Sequence, residues 1–333
     1  MTQKDNLERN INKALKPFQH LNNRKSFFIV FTSIAGMLLS IAVGIILYNI
    51  TWYYSILLWV PIFVFMCRSF VFIHDCGHNS LFTKPWQNDL AGSISGFFIL
   101  VPFGLWQCLH NMHHGSVGNL NKREVNPELW TYTVKEYQNL SNIKKLAYRL
   151  YRSTLGLIII APILFMLLER IPYSFVNKKA NVSVLAYNLI YAAVIYLLVT
   201  QNWLVPFFLI YFIPLFVFYV FALSIFYLQH HYEETYWEIE PKWNLFDASI
   251  NGSSYIEFGP VMSWVTGNVG YHHIHHLFAR IPFYNLKKAS TAIKGYVDKK
   301  PISYWSLLDY MNLKLWDSKS RKLVHFSAVS SNR

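Results

Sequence analysis

Residues 27 to 49 read FFIVFTSIAGMLLSIAVGIILYN and residues 53 to 73 read YYSILLWVPIFVFMCRSFVFI, with no charge in the first run and one in the second. Either run reaches the roughly 20 residues of helix that cross a hydrocarbon core. No Lys or Arg lies between them, so they form a transmembrane hairpin. The pattern repeats at 182 to 200 (VSVLAYNLIYAAVIYLLVT) and 204 to 228 (LVPFFLIYFIPLFVFYVFALSIFYL), joined by QNW. Hydrophobic residues make up 53% of the 333 positions, aromatic residues 18% and charged residues 14%, a composition that takes lipid as its solvent. The class is integral membrane protein.

Basic residues orient the hairpins. Six precede the first run, seven fall within 108 to 154, three within 169 to 181 and twelve after 228. The positive-inside tendency places all four regions, and both termini, on the cytoplasmic side of a multi-pass cell-membrane protein. Two further apolar stretches, 90 to 107 and 155 to 168, then cannot each cross once, so they lie in the interface or dip in and return. The competing arrangement has six spans. The net charge of +13 suits anionic headgroups, and no nucleic acid is expected as a partner. Three cysteines, Cys67, Cys76 and Cys108, make no disulfide framework. The polar first 26 residues precede an apolar run too long for a signal peptide, so a retained first span is expected.

Eleven of thirteen histidines fall in four clusters: HDCGH (His74, His78), HNMHH (His110, His113, His114), QHHYEE (His230, His231) and HHIHH (His272, His273, His275, His276). Residues three and four apart share a helix face, so each box aims its imidazoles one way, with His273 turned off that face. A single histidine here would be a polar residue at the membrane surface. Eight on one side of the membrane would crowd titratable groups unless cations held them as neutral ligands. That many nitrogens exceed one structural zinc site and suit two metals, each with an open position. The clusters sit at span ends and not at the midplane, which argues against an ion pathway.

At these residues the chain resembles the membrane fatty acid desaturases, specifically the bacterial acyl-lipid group with Δ5 and Δ12 members. The likeness runs from about 60 to 320 and includes HDCGHNSLF, NLNKREVNPELWTYTVKEY, KLAYRLYR, QHHYEE, NGSSY and WVTGNVGYHHIHHL. It implies an all-α membrane protein: four transmembrane helices in two hairpins, interfacial helices, and a cytosolic helical cap holding a histidine-rich dimetal site. With the polarity of both ends of the chain, the expected division is a cytosolic segment 1–26, a desaturase domain 27–310 and a hydrophilic tail 311–333. The implied ligands of two irons are His74, His78, His110, His113, His114, His272, His275 and His276, with His230 as ninth ligand and His231 as its rival. Glu124 and Asn126 to Pro127 depart from the family's usual glycine and aspartate, which bears on substrate fit and not on the metal.

Among the neighbours, Asp75, Glu233 and Glu234 could orient ligating imidazoles, although helix capping and solvated charge compete with that reading. Cys76 reads as a packing residue. Lys122 and Arg123 could meet a lipid phosphate or simply mark the inside. The resemblance implies that O₂ is the co-substrate and that a cis double bond is formed in lipid acyl chains. Two electrons must come from outside, because the chain has neither a G-x-G-x-x-G fingerprint nor an H-P-G-G haem segment. Ferredoxin, flavodoxin or a cytochrome b5-like protein is the expected donor. A di-iron hydroxylase or carotenoid oxygenase, and a histidine-rich metal transporter, are the alternatives. The double-bond position is not legible.

Overall fold

Asn23–Ile50, Trp52–Gly77, Lys178–Thr200 and Leu204–His230 are the helices long and apolar enough to cross a membrane in the computed structural model, which describes residues 3–124 and 129–329. They are the two hairpins expected from the sequence. Asn22 and Asn177 start the first and third spans, their side-chain oxygens accepting the N–H groups of Lys25 (3.0 Å) and Ala180 (2.9 Å). Those bonds satisfy donors that an uncapped helix end leaves open. The second span opens with a 3₁₀ stretch, Trp52–Leu58, and the fourth holds a π-helical turn at Phe208–Phe212. Trp59 Nε1 donates to the Leu209 carbonyl at 2.8 Å, inside that turn.

Small residues set how closely the spans approach. The buried face of the first span is Ser26, Val30, Ser33, Met37, Ser40 and Gly44. Gly36 meets Phe65 of the second span so closely that an added Cβ would stand 2.2 Å from the ring. Lipid supplies little hydrophobic drive between helices, so close packing of this kind holds the pair.

The two ambiguous apolar stretches do not form long straight helices. The first is split into Pro85–Phe97 and Phe103–Ser116, joined by a turn with Leu100 at φ 55°. Non-helical backbone among membrane spans requires partners from the protein. They are present: Tyr211 donates to the Phe98 carbonyl, Tyr219 to Ile99 (2.6 Å) and Arg170 to Leu100 (2.5 Å). The second stretch is a π-helical turn, Gly156–Ile160, running into Ala161–Leu168. It is bent by 64° from the preceding helix Asn142–Tyr151.

Short helices at Leu245–Asn251, His272–Leu277 and Leu286–Ile293 build the cap over the span ends. Two small sheets join this otherwise helical fold: Tyr255–Glu257 pairs in parallel with Pro301–Ser303, and Leu315–Asp317 is antiparallel to Lys322–Val324. The stretch after 310, read from sequence as a hydrophilic tail, thus contains a hairpin whose Leu315, Trp316 and Leu323 are buried. Residues Gln3–Leu15 of the N-terminal segment form a helix that buries Ile11 and Leu15 and packs on Leu286–Ile293.

Candidate metal centre

Four elements deliver the histidines. His74 lies in the last turn of the second span, and His78 follows that helix directly, its N–H bonded to the Asp75 carbonyl. His110, His113 and His114 line the second half of Phe103–Ser116. His230 is the last residue of the fourth span, and His272, His275 and His276 belong to the helix His272–Leu277. Within both second-box and third-box helices the three- and four-residue spacing turns these rings to one side, as helical geometry requires.

The rings gather into two groups of four. His74, His78, His110 and His275 bring one ring nitrogen each within 4.8 Å of one another, and so do His113, His230, His272 and His276. His114 stands between the groups, its Nε2 2.9 Å from that of His275 and its ring stacked on His276 at 4.1 Å. Within the second group the Nε2 atoms of His230 and His276 both lie 3.0 Å from Nε2 of His272. Metal–nitrogen bonds near 2.1 Å at ordinary coordination angles leave neighbouring nitrogens about 3 Å apart. The spacing therefore fits a shared ion.

Electrostatics favour neutral rings. Burial first, and the charge of neighbouring imidazoles second, hold His78, His110, His114, His272, His275 and His276 well below the ordinary histidine value. Neutral imidazole is the form that binds metal. Nε2 of His74, His78 and His110 is buried without a hydrogen-bond partner, a costly state for a polar atom. A cation in the first group would satisfy these lone pairs, and an all-imidazole donor set in either group suits iron, copper, nickel or zinc better than magnesium or calcium. On those grounds the residues fit a pair of irons.

The groups around the rings have definite partners. His230 Nδ1 faces the Gly252 carbonyl at 2.9 Å, an N–H donation that leaves Nε2 its lone pair. Asp75 accepts the Phe283 N–H at 2.7 Å and reaches His74 Nδ1 at 3.4 Å, so it ties the first box to the chain beyond the third. His231 turns away, its Nε2 2.9 Å from Thr131 Oγ1 and its ring stacked on Tyr227. His273 lies against Tyr255 outside both groups, held down to about 3 by burial and by Lys299.

Other sequence candidates are engaged elsewhere. Glu233 and Glu234 pair with Lys322, Arg123 with Glu136 (2.6 Å) and Lys122 with Glu240 (3.2 Å). Cys76 is fully buried as packing, and Glu124 lies at the surface. Asn126 and Pro127 lie outside the described residues.

A cavity of about 280 Å³ touches both groups, through His74, His110 and His275 of one and His113, His230 and His272 of the other. Its remaining wall is mostly apolar, with Phe70, Phe218 and Phe226 from the second and fourth spans, and also carries Glu169 and Gln229. Leu157, Ile158, Ala161 and Phe165 also line it. In the sequence those four belong to the ambiguous apolar stretch 155 to 168, where nothing in their spacing tells a cavity wall from a lipid face.

The family model described as "Fatty acid desaturase" matches residues 17–308. The chain is 32% identical over 273 residues to a fatty acid desaturase of Bacillus subtilis (strain 168), covering 80% of this chain and 75% of that one. It is 28% identical over 269 residues to an sn-1 oleoyl-lipid 12-desaturase of Synechocystis sp. (77% and 73% covered). An sn-1 acyl-lipid omega-3 desaturase (ferredoxin) of Nostoc sp. is 29% identical over 284 residues (82% and 76%).

Proposed function

The chain belongs to the fatty acid desaturase family, and from that premise we propose that it introduces a cis double bond into acyl chains of membrane lipids at a di-iron centre. The observation that carries this reading is the meeting of two histidine quartets with one apolar cavity. We assign the irons to His74, His78, His110 and His275, and to His113, His230, His272 and His276, with His114 between them. Iron so held, with O₂ and two electrons, supplies the oxidant needed to remove hydrogen from an unactivated methylene, which side chains alone cannot.

The chain's own part is to bind and to hold. Phe70, Phe218 and Phe226 give a hydrocarbon chain an apolar lining and keep water away. The His230 Nδ1–H to Gly252 bond fixes that ring's tautomer, and Asp75 holds the end of the first box against Phe283. Holding one methylene beside the metals removes orientational freedom that a free encounter would have to lose. Position of the double bond follows from how the chain seats in the cavity.

Orientation and partners complete the proposal. The distribution of basic residues supports a cytoplasmic position for the histidines and both termini. An acidic ferredoxin, flavodoxin or cytochrome b5-like donor suits that basic face, since charge complementarity speeds encounter. The relative named for ferredoxin supports such a donor. Expression in a host that makes saturated lipids is expected to yield new mono- or diunsaturated acids by gas chromatography. Hydroxylated products, or metal uptake with unchanged lipids, would replace the desaturase reading with one of the alternatives.

A further inference from the structure

The cavity beside the histidines has one thin wall. Leu157, Ile158, Ala161 and Phe165 face into it. On the same segment Ile159, Ile160, Ile163, Leu164 and Leu167 are 43–58% exposed and turned outward. A continuous apolar face of this kind belongs against lipid and not water. One layer of helix therefore separates the cavity from the bilayer. The helix before it, Asn142–Tyr151, exposes Ile143, Leu146 and Leu150 alongside Lys144 and Arg149, the pattern of a helix lying in the headgroup region.

The wall is bent at one end, and along its length it meets the protein through side-chain packing, Phe165 and Met166 lying against the main core. Between the two helices comes the 64° bend, followed by the π-helical turn Gly156–Ile160. Gly156 permits the bend: an added Cβ would stand 2.5 Å from the Leu150 carbonyl and 2.7 Å from that of Tyr151. Single π turns of this kind interrupt the regular helical ladder and recur at functional sites. Facing the fourth span, Phe165 meets Tyr219 with ring centroids 5.7 Å apart. Among the described residues no side-chain hydrogen bond ties Gly156–Leu168 to that span.

We infer that Gly156–Leu168 is a lateral gate, hinged at Gly156, through which the acyl chain of a bilayer phospholipid slides from the leaflet to the histidines. The inference rests on the acyl-lipid reading above and adds the route: the substrate stays in the membrane, and its headgroup stays at the level of Asn142–Tyr151. A water-soluble thioester would have no use for such a passage.

The test uses the full chain, iron-loaded, in vesicles of 1-palmitoyl-2-oleoyl phosphatidylglycerol with a reducing partner, and measures new double bonds by gas chromatography. In Phe165→Cys/Tyr219→Cys, a short bis-methanethiosulfonate linker, joined to both cysteines through disulfides, pins the wall to the fourth span. Relative to the same double-cysteine protein left unbridged, which has already lost the Tyr219 bond to Ile99, bridging is expected to cut turnover at least about tenfold, reversibly on adding thiol reductant and with iron content unchanged. Leu157→Trp, which needs no cysteine chemistry, is expected to slow turnover on the same vesicles while retaining iron. Full turnover by the bridged protein, or a loss accompanied by loss of iron, overturns the gate. An unmodified protein that makes no unsaturated acid in these vesicles sinks the desaturase reading instead.

Discussion

His230 and His231 are adjacent in the chain and do opposite things. The last turn of the fourth span carries His230 Nε2 to 3.0 Å from His272, whereas His231 lies just past the helix end and its ring turns to Thr131. His230→Ala is expected to lower iron content sharply, while His231→Ala keeps the iron; metal analysis of the two purified variants decides between them. His113→Ala is expected to abolish desaturation with the protein still inserted, and His325→Ala, exposed and distant in sequence, to change little. Asp75→Asn keeps the size of the side chain and weakens its hold on Phe283 and His74, which is expected to cost about 10–100-fold in iron affinity. In the second and third boxes the shared face of the histidines was legible in sequence because helical spacing puts them there, whereas His78 falls just past the end of its helix. The choice of His230 over His231 was not decidable by spacing, since neither residue has an in-box partner, and the structure separates them by where the helix stops.

At the scale of elements, the spans were legible because a hydrocarbon core demands uninterrupted apolar length, a local property. The turn between Phe97 and Phe103 was not. Its carbonyls are satisfied by Tyr211, Tyr219 and Arg170, which lie 70 to 120 positions away in sequence. Tyr219→Phe removes the donor to Ile99 and leaves that carbonyl open in apolar surroundings, so it is expected to lower stability by about 1–3 kcal/mol. Thermal denaturation in detergent measures it. The paired strands escaped notice because three-residue strands carry no usable alternation, and Leu315, Trp316 and Leu323 are separated by a run of polar and charged residues that reads as a tail. The outward leucines and isoleucines of Gly156–Leu168 belong to the same class: composition marks them as apolar, and only the fold tells which of them face a cavity.

For the whole molecule the concentration of neutral histidines has a pH consequence. In the unfolded chain they take up protons near 6.5, while His78, His110, His114, His272, His275 and His276 remain neutral when folded because burial disfavours their charge. The unfolded state then binds more protons, so the metal-free protein loses stability as pH falls below about 6.5 and gains nothing from these groups above it. Melting temperatures in detergent between pH 7.5 and 5.5 check the sign. Iron loss over the same range is expected as protons compete for the ring nitrogens.

We propose that histidines from four separate elements hold two ions beside a hydrocarbon-lined cavity, and the iron content of purified protein, measured together with its turnover, decides the claim. Two irons per chain, one for each quartet, are expected in the active protein, with activity lost on chelation and regained on adding ferrous iron. Full desaturation by protein free of transition metal would contradict the claim.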